Sequence, residues 1–202
     1  MSESIWDRIE AARARWNVLE HPFYQRWSAG ELSSEELARY SGQYRHAVEA
    51  VATISANVAE LAPERNDLRS HAVEEQAHVE LWDGFVGAAG GDVAAEPTAE
   101  TSECVEAWTA EDGIVGSLAR LYAIESGQSE ISRTKREGLL ERYGFSDGAG
   151  TAYFRVHETR DLEHAAEARE LIEELAGPAD ADAIVDSAES TFRANWRLLD
   201  GV

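Results

Sequence analysis

Residues 153–168, YFRVHETRDLEHAAEA, contain the most informative pattern in this chain. His157, Asp161 and His164 are spaced i, i+4, i+7. At about 100° per residue, a helix places all three within about 60° of one another, on one stripe. Two imidazoles flanking a carboxylate form a donor set that suits iron, manganese or zinc. The stretch therefore predicts a helix with a metal-binding stripe.

A second stretch, SHAVEEQAHVELW at residues 70–82, repeats this spacing with His71, Glu75 and His78. Its Glu75-x-x-His78 portion is the unit that helical di-iron carboxylate bundles use twice. Glu125 is a third contributor, because it is a carboxylate in the apolar stretch LYAIE, and a carboxylate facing a core is costly unless it is paired or bound to metal. A structural zinc is the alternative, but zinc sites of that kind usually use cysteines. The three segments together predict a two-metal site, most simply of iron.

Helical signals dominate the rest of the chain, and strand signals are nearly absent. Apolar periodicity and capping signals predict helices over residues 4–19, 22–30, 34–61, 63–86, 102–110, 112–142 (with a break near Gly127), 148–176 and 180–199. Residues 88–101 are predicted to form a mobile surface loop, because their composition resembles that of a linker. Seven or eight helices with short connections predict an all-α, up-and-down bundle that forms a single domain over residues 1–202.

The charge balance is strongly acidic, with 39 Asp and Glu against 18 Lys and Arg and a net charge of −21. Such a surface repels phosphate backbones, so nucleic-acid binding is excluded. An acidic chain with a single lysine, Lys135, predicts a high-salt cytoplasm, where salt screens like charges from one another. A GC-rich genome is the alternative explanation for the preference for arginine.

Nothing in the sequence indicates a membrane or an export route. No apolar run approaches the roughly 18–20 residues that a membrane span needs. The amphipathic start of the chain has no basic leader followed by an apolar stretch, which an export signal would require. Cys104 is the single cysteine, so no intramolecular disulfide can form. A cytoplasmic location is therefore expected.

A resemblance to a known family rests on four segments: HPFYQRWSAGELSSEELARY (21–40), HVELWDGF (78–85), LYAIESGQSEISRTKREGL (121–139) and YFRVHETRDLEHA (153–165). They resemble the TenA/PqqC-like, haem-oxygenase-like helical fold. Within it they resemble the di-iron oxidase branch that includes the chlamydial protein associating with death domains, a 4-aminobenzoate synthase. The resemblance implies a haem-oxygenase-like bundle with two iron ions (Fe/Fe or Fe/Mn) and O₂ as co-substrate.

The resemblance also implies a ligand set. The family's ligands fall on the following positions of this chain: His78, Glu125, His157, Asp161 and His164. The remaining family glutamate lies seven residues before the first histidine, where this chain has His71. We favour Glu75 for this role, because a spacing of i, i+3 puts it on the same face as His78. Glu74 is the alternative, and His71 is interpreted as an extra or substitute ligand.

Two further positions follow from the same resemblance. In the aminobenzoate synthases a tyrosine of the HPFY-like motif is consumed as the source of the aromatic ring, and a lysine downstream is implicated as the amino donor. The matching residues here are Tyr24, which is then expected to face the metal pair, and Lys135. The alternative for Lys135 is chance placement on an exposed helix face. Tyr40 and Tyr44 are interpreted as radical relays or as core aromatics.

The leading hypothesis is an oxygen-dependent, non-haem di-iron oxidase or oxygenase that acts on a small-molecule substrate or modifies its own Tyr24. Formation of 4-aminobenzoate is its specific form. One alternative is TenA-like hydrolysis of an aminopyrimidine, which uses a cysteine nucleophile, here Cys104. The other is a metal-binding protein without catalysis. A homodimer is predicted, with the aromatics Trp6, Trp16 and Trp27 as interface material.

Overall fold

A computed structural model describes residues 4–202, so residues 1–3 of the predicted domain lie outside the described range. Within residues 4–202 the chain forms nine α-helices and no strand. The helices are α1 (Ile5–Arg15), α2 (Pro22–Ala29), α3 (Ser34–Leu61), α4 (Asn66–Ala89), α5 (Ala99–Trp108), α6 (Gly113–Glu125), α7 (Gln128–Glu141), α8 (Ala149–Leu175) and α9 (Ala181–Asp200). The predicted all-helical class is confirmed.

Several helix boundaries differ from the sequence prediction: α1 ends at Arg15 rather than at residue 19, α4 ends at Ala89 rather than at residue 86, and the starts of α4 and α5 also move. The α4 helix begins at Asn66 rather than Pro63, because the Arg65 N–H donates to the Ala62 carbonyl and closes a turn first. The α5 helix begins at Ala99, three residues earlier than predicted, because the Thr98 side chain accepts from the Thr101 N–H and caps it. Both shifted starts arise from local hydrogen bonds that apolar periodicity does not register.

The loop between α4 and α5 lies at the surface as predicted, but hydrogen bonds tie it to α3, contrary to the expectation that it is mobile. The buried side chain of Gln43 donates to the Glu96 carbonyl and accepts from the Thr98 N–H, at 2.9 Å in both cases. His46 contacts the Ala95 carbonyl at 2.8 Å. A linker-like composition therefore coexists here with fixed hydrogen-bond partners.

The helix packing places α4, α6 and α8 together in the middle of the molecule. The α8 helix packs against α4, α6 and α7, while α3 covers α4, and α9 packs against α1, α5 and α6. The largest fully buried side chains are mostly aromatic, and they include Trp27, Trp82, Trp108, Tyr24, Tyr40, Tyr44, Phe85 and Phe154. The inner faces of α4, α6 and α8 are the ones that carry the predicted histidines and carboxylates.

Trp27 fixes α2 against α7. It is fully buried, so the expectation that it is exposed interface material is wrong. Its indole N–H donates to the Lys135 carbonyl at 3.1 Å. A Cβ at Gly138 would lie 2.6 Å from Trp27 Nε1, so only glycine permits this close approach. The contact places Tyr24 of α2 beside the α7 segment that carries Lys135.

None of the helices within residues 4–202 combines the length and the apolar character required to cross a membrane.

Candidate metal centre

Three helices bring the predicted ligands together at the centre of the bundle. Each of these residues is at most 7% exposed. The α4 helix contributes His71, Glu75 and His78, α6 ends on Glu125, and α8 contributes His157, Asp161 and His164. The two i, i+4, i+7 stripes therefore face each other, with the carboxylate from α6 beside them.

Glu75 lies at the middle of the histidines. Its Oε1 is 3.0 Å from His78 Nδ1, 3.7 Å from His71 Nε2 and 3.9 Å from His164 Nδ1. Its Oε2 is 4.0 Å from His157 Nε2. Two groups of donor atoms result, His71–Glu75–His164 and Glu75–His78–His157, and the atoms of each group lie within 4.8 Å of one another. Glu75 is the member that the two groups share.

The donor atoms of this cluster are largely unpaired. Six buried atoms have no hydrogen-bond partner: His71 Nε2, both oxygens of Glu125, His157 Nε2, Asp161 Oδ2 and His164 Nδ1. His71 Nε2 lies 3.0 Å from Glu125 Oε1, but without the alignment of a hydrogen bond. Unpaired buried polar atoms are rare and costly in folded proteins. Because they converge as a mixed nitrogen and oxygen set, they fit iron or manganese ions.

One backbone contact orients His157. Its Nδ1 lies 2.8 Å from the Tyr153 carbonyl oxygen. A carbonyl only accepts, so Nδ1 carries a proton, and Nε2 is the nitrogen that faces Glu75. Metal-binding histidines are commonly fixed in this way by a hydrogen bond from the other ring nitrogen.

Burial and mutual charge shift the protonation of the cluster. Burial raises the pKa of Glu125 to about 6 and, together with the charges of Glu125 and Glu75, raises the pKa of Asp161 well above its usual range. Burial lowers the pKa of His164 to about 4. Burial also opposes charge on His71, but Glu125 and Glu75 outweigh it and raise that pKa to about 10. Protons held on His71 and Asp161 therefore offset part of the negative charge of the buried carboxylates.

Glu74, the alternative ligand, lies outside the group of donors. Its side chain is 37% exposed and pairs with the Arg160 guanidinium at 2.7 and 2.8 Å. Its Oε2 lies 3.5 Å from His164 Nε2, the nitrogen that points away from Glu75. The structure therefore brings Glu75, and not Glu74, among the other carboxylates.

The second cluster of predicted residues surrounds Lys135. This side chain is fully buried, which excludes placement on an exposed helix face, and its Nζ has no hydrogen-bond partner. Burial lowers its pKa to about 7. Nζ lies 4.4 Å from the ring centroid of Tyr44, 5.2 Å from that of Tyr24 and 5.5 Å from that of Tyr40. The Tyr24 and Tyr40 hydroxyl oxygens are 2.7 Å apart.

Tyr24 does not line the small cavity beside the carboxylates, contrary to the expectation that it faces the metal pair. That internal cavity has a volume of about 10 Å³, and Tyr153 of α8 lines it together with Ile124 and the acidic side chains. The Tyr153 ring stacks on His157 with centroids 3.9 Å apart. The sequence signal for Tyr153 is its position one helical turn before His157, on the same stripe.

A continuous series of aromatic contacts joins the two clusters. Neighbouring ring centroids are 3.9–6.2 Å apart along Tyr24, Tyr40, Tyr44, Trp82, Tyr153 and His157. Tyr24 is therefore linked to the donor cluster through packed rings rather than by direct contact.

Cys104 is unsuited to act as a nucleophile. The side chain is fully buried in α5, and this burial raises the pKa of its thiol. A thiolate is the reactive form, so the structure disfavours hydrolysis through this residue.

A helical bundle whose core collects histidines and carboxylates from several helices is the architecture of iron- and manganese-carboxylate proteins. The sequence pattern of one such family, described as iron-containing redox enzymes, matches residues 37–196. The chain belongs to this family and is an oxidoreductase of the iron-dependent type.

The chain is also similar to named proteins over nearly its whole length. It is 31% identical to a 4-aminobenzoate synthase of Chlamydia muridarum (99% of this chain, 90% of that protein). It is 32% identical to a 4-aminobenzoate synthase of Chlamydia trachomatis (96% and 90%). A TenA homologue from Pseudomonas syringae has the same fold, with a TM-score of 0.82 at 18% identity (97% of this chain, 89% of that one). So does a haem-oxygenase-like domain from Shewanella denitrificans, with a TM-score of 0.78 at 19% identity (95% and 88%). The predicted haem-oxygenase-like fold is confirmed.

Proposed function

We propose that this chain is an oxygen-dependent di-iron (or Fe/Mn) oxidase that forms 4-aminobenzoate from its own Tyr24, with Lys135 as the source of the amine. The observation that carries the proposal is the environment of Lys135. The only lysine of the chain has a fully buried amine without a hydrogen-bond partner, 5.2 Å from the ring centroid of Tyr24. The two similar chlamydial proteins, both 4-aminobenzoate synthases, support it.

The proposed ligands of the metal pair are His71, Glu75, His78, Glu125, His157, Asp161 and His164. Glu75 serves both ions, because it belongs to both groups of converging donor atoms. His71 occupies the position of the missing family glutamate, and it contacts Glu125 at 3.0 Å. When bound, the two ions supply the oxidising power that is obtained from O₂.

The burial of Lys135 prepares its amine for bond formation. Only an uncharged amine has a lone pair to give to carbon, and with a pKa of about 7 a large fraction is uncharged at neutral pH. The new bond joins Nζ to the Tyr24 ring carbon that loses its phenol oxygen. Release of 4-aminobenzoate also breaks the Lys135 Nζ–Cε bond and the Tyr24 Cα–Cβ bond, and O₂ is the oxidant that converts Cβ to the carboxylate. An arginine could not supply this group, since its guanidinium stays protonated. The rings around Nζ hold the amine in place and keep water away from it.

The hydrogen bond between the Tyr24 and Tyr40 hydroxyls determines where the Tyr24 proton goes when the ring is oxidised. Burial raises the pKa of both phenols well above the usual value, so both are protonated at neutral pH. Oxidation of Tyr24 therefore requires its proton to leave through the 2.7 Å hydrogen bond to Tyr40. Because a neutral phenol is too weak a base to hold a second proton, Tyr40 has to pass its own hydroxyl proton onward in the same step. Tyr40 then acts as a catalytic partner of Tyr24, and the aromatic series links the pair to the donor cluster.

The size of the internal cavity favours a substrate that is part of the chain. A volume of about 10 Å³ has room for roughly one water molecule. An external aromatic substrate would need the core to open, whereas Tyr24 is already held in the interior.

The test is mass spectrometry of the protein after reconstitution with iron, reductant and O₂. We expect loss of side-chain mass at Tyr24, a change at Lys135, and release of at most one aminobenzoate per chain. If O₂ is consumed while Tyr24 stays intact, the protein is an oxidase of an external substrate. If the iron-loaded protein consumes no O₂, the oxidase function itself is wrong.

A further inference from the structure

An open cleft of about 250 Å³ lies between α1, the junction of α6 and α7, and α9. Apolar side chains of Ile124, Ile131 and Phe192 line it, together with polar side chains that include Glu10 and Asn17. Neither the proposed ligands nor the Lys135 cluster lines this cleft, so the chemistry described above leaves it without a role.

The α6–α7 junction separates this cleft from the internal cavity. Ala123 and Gly127 line the cleft, whereas Glu125 and Gln128 line the cavity. Ile124 lines both. The wall between an open surface cleft and the carboxylates is therefore one side chain thick at Ile124.

The properties of this wall suit the passage of a small, uncharged molecule. The Ile124 side chain forms no hydrogen bond or ion pair that has to break, so only apolar packing contacts oppose its displacement. The helix is interrupted between Glu125 and Gln128, so fewer backbone hydrogen bonds brace the segment. Beside His164, by contrast, the Arg160–Glu74 ion pair would have to separate first.

We propose that dioxygen reaches the metal centre from this cleft, and that the side chain of Ile124 is the gate it passes. This inference rests on the proposed function, because it requires that O₂ is the co-substrate. Dioxygen is apolar and small, so crossing an apolar side chain costs it little desolvation.

Nitric oxide, a diatomic of similar size that binds ferrous iron without turnover, is the probe. The ferrous-loaded protein is mixed with NO under argon in a stopped-flow instrument, and the second-order rate of the iron–nitrosyl absorbance is measured. We expect Ile124→Phe to lower this rate by about tenfold or more, equivalent to ~1.4 kcal/mol of added barrier. Ile124→Ala should raise the rate.

Ile131→Ala is the matched control. Ile131 is also an isoleucine with 8% exposure and lines the same cleft, but it does not line the internal cavity. Its substitution should leave the rate of NO binding unchanged. Val51, which lines the cavity from α3, represents a competing route. Rates that respond to Val51→Ala and not to Ile124→Ala would overturn the proposal.

Because Ile124 precedes the proposed ligand Glu125, iron content is determined for every variant. If Ile124→Phe loses iron, the Ile124→Ala and Ile131→Ala pair decides the question. Xenon pressurisation of metal-free crystals gives a reading without any metal: xenon is expected in the cleft against the Ile124 side chain, and xenon bound only beside Val51 contradicts the route. Wild-type ferrous protein that binds NO but consumes no O₂ contradicts the oxidase function instead.

Discussion

The amine of Lys135 lies 5.2 Å from the ring centroid of Tyr24, although the two residues come from helices far apart in the chain. Main-chain contacts set this separation. The Trp27 indole N–H donates to the Lys135 carbonyl, and Gly138 leaves room for the Trp27 ring one turn away. The pairing therefore follows from how α2 docks on α7, and it does not depend on a hydrogen bond of the amine itself.

Removing either partner should abolish aminobenzoate formation. We expect no product from Tyr24→Phe, which lacks the oxidisable hydroxyl, or from Lys135→Met, which lacks the amine. Both variants should keep the iron content of the wild type, since neither residue is a proposed ligand. The measurement is chromatography of released aminobenzoate beside iron analysis. Tyr122→Phe, at a buried tyrosine whose hydroxyl donates to Glu10 outside both clusters, is the control and should form product normally.

The stability of the protein should depend on pH through Lys135. Its pKa is about 7 in the folded chain and about 10.5 when unfolded, so the unfolded state holds more protons between these values. Stability therefore rises with pH across this window, by at most about 1.4 kcal/mol per pH unit. Urea unfolding of wild type and Lys135→Met at pH 7 and pH 9 measures it. The advantage of the methionine variant should shrink at pH 9, and a difference independent of pH contradicts the burial of the amine.

The features that depend on helical periodicity could be predicted from the sequence. The spacing of His157, Asp161 and His164 predicts a shared stripe, because helical geometry is fixed by the backbone. Periodicity could not decide between Glu74 and Glu75, since adjacent residues both lie near the face of His78. Their environment decides it: Arg160 of α8 pairs with Glu74, and the histidines surround Glu75.

Other features depended on tertiary contacts between distant segments. The burial of Lys135 follows from aromatic rings on four other helices, and no local pattern predicts it. The position of Tyr24 away from the internal cavity also could not be predicted from a local pattern, because it is set by how α2 docks on α7. The ordering of the α4–α5 loop depends on the side chain of Gln43, which lies about fifty residues before it.

Stability should increase with salt up to molar concentrations. The net charge of −21 concentrates like charge in the folded state, and screening relieves that repulsion. Exposed ion pairs such as Arg15–Glu189 weaken at the same time, but such pairs contribute little. Melting temperatures between about 0.1 and 2 M KCl, where the Debye length falls from ~10 Å to 2–3 Å, measure the effect. A flat or falling curve contradicts adaptation to a high-salt cytoplasm.

We also expect a homodimer, the commonest closed oligomer. Trp6 of α1 and Trp16, which directly follows α1, remain partly exposed and are available for an interface, whereas Trp27 is not. Sedimentation in high salt should give about twice the chain mass of 22.2 kDa, and a Trp6→Ala variant should dissociate more readily than the wild type. A clean monomer at all concentrations contradicts the prediction.

The sharpest test of the metal centre compares two adjacent glutamates. Glu75 belongs to both groups of converging donor atoms, so Glu75→Gln, which removes its charge at almost unchanged volume, should weaken the binding of both ions. Glu74→Gln should retain two ions per chain, because this residue pairs with Arg160 at the surface. His164 belongs to only one group of donor atoms, so His164→Ala should lose tight binding of at least one ion. Titration of the metal-free protein with Co²⁺, followed by absorbance, gives the stoichiometry of each variant.

His46→Ala, at a histidine that bonds the Ala95 carbonyl outside the centre, is the control for histidine loss. Two tightly bound ions in Glu75→Gln, or a loss in Glu74→Gln alone, would reverse the assignment of the shared carboxylate.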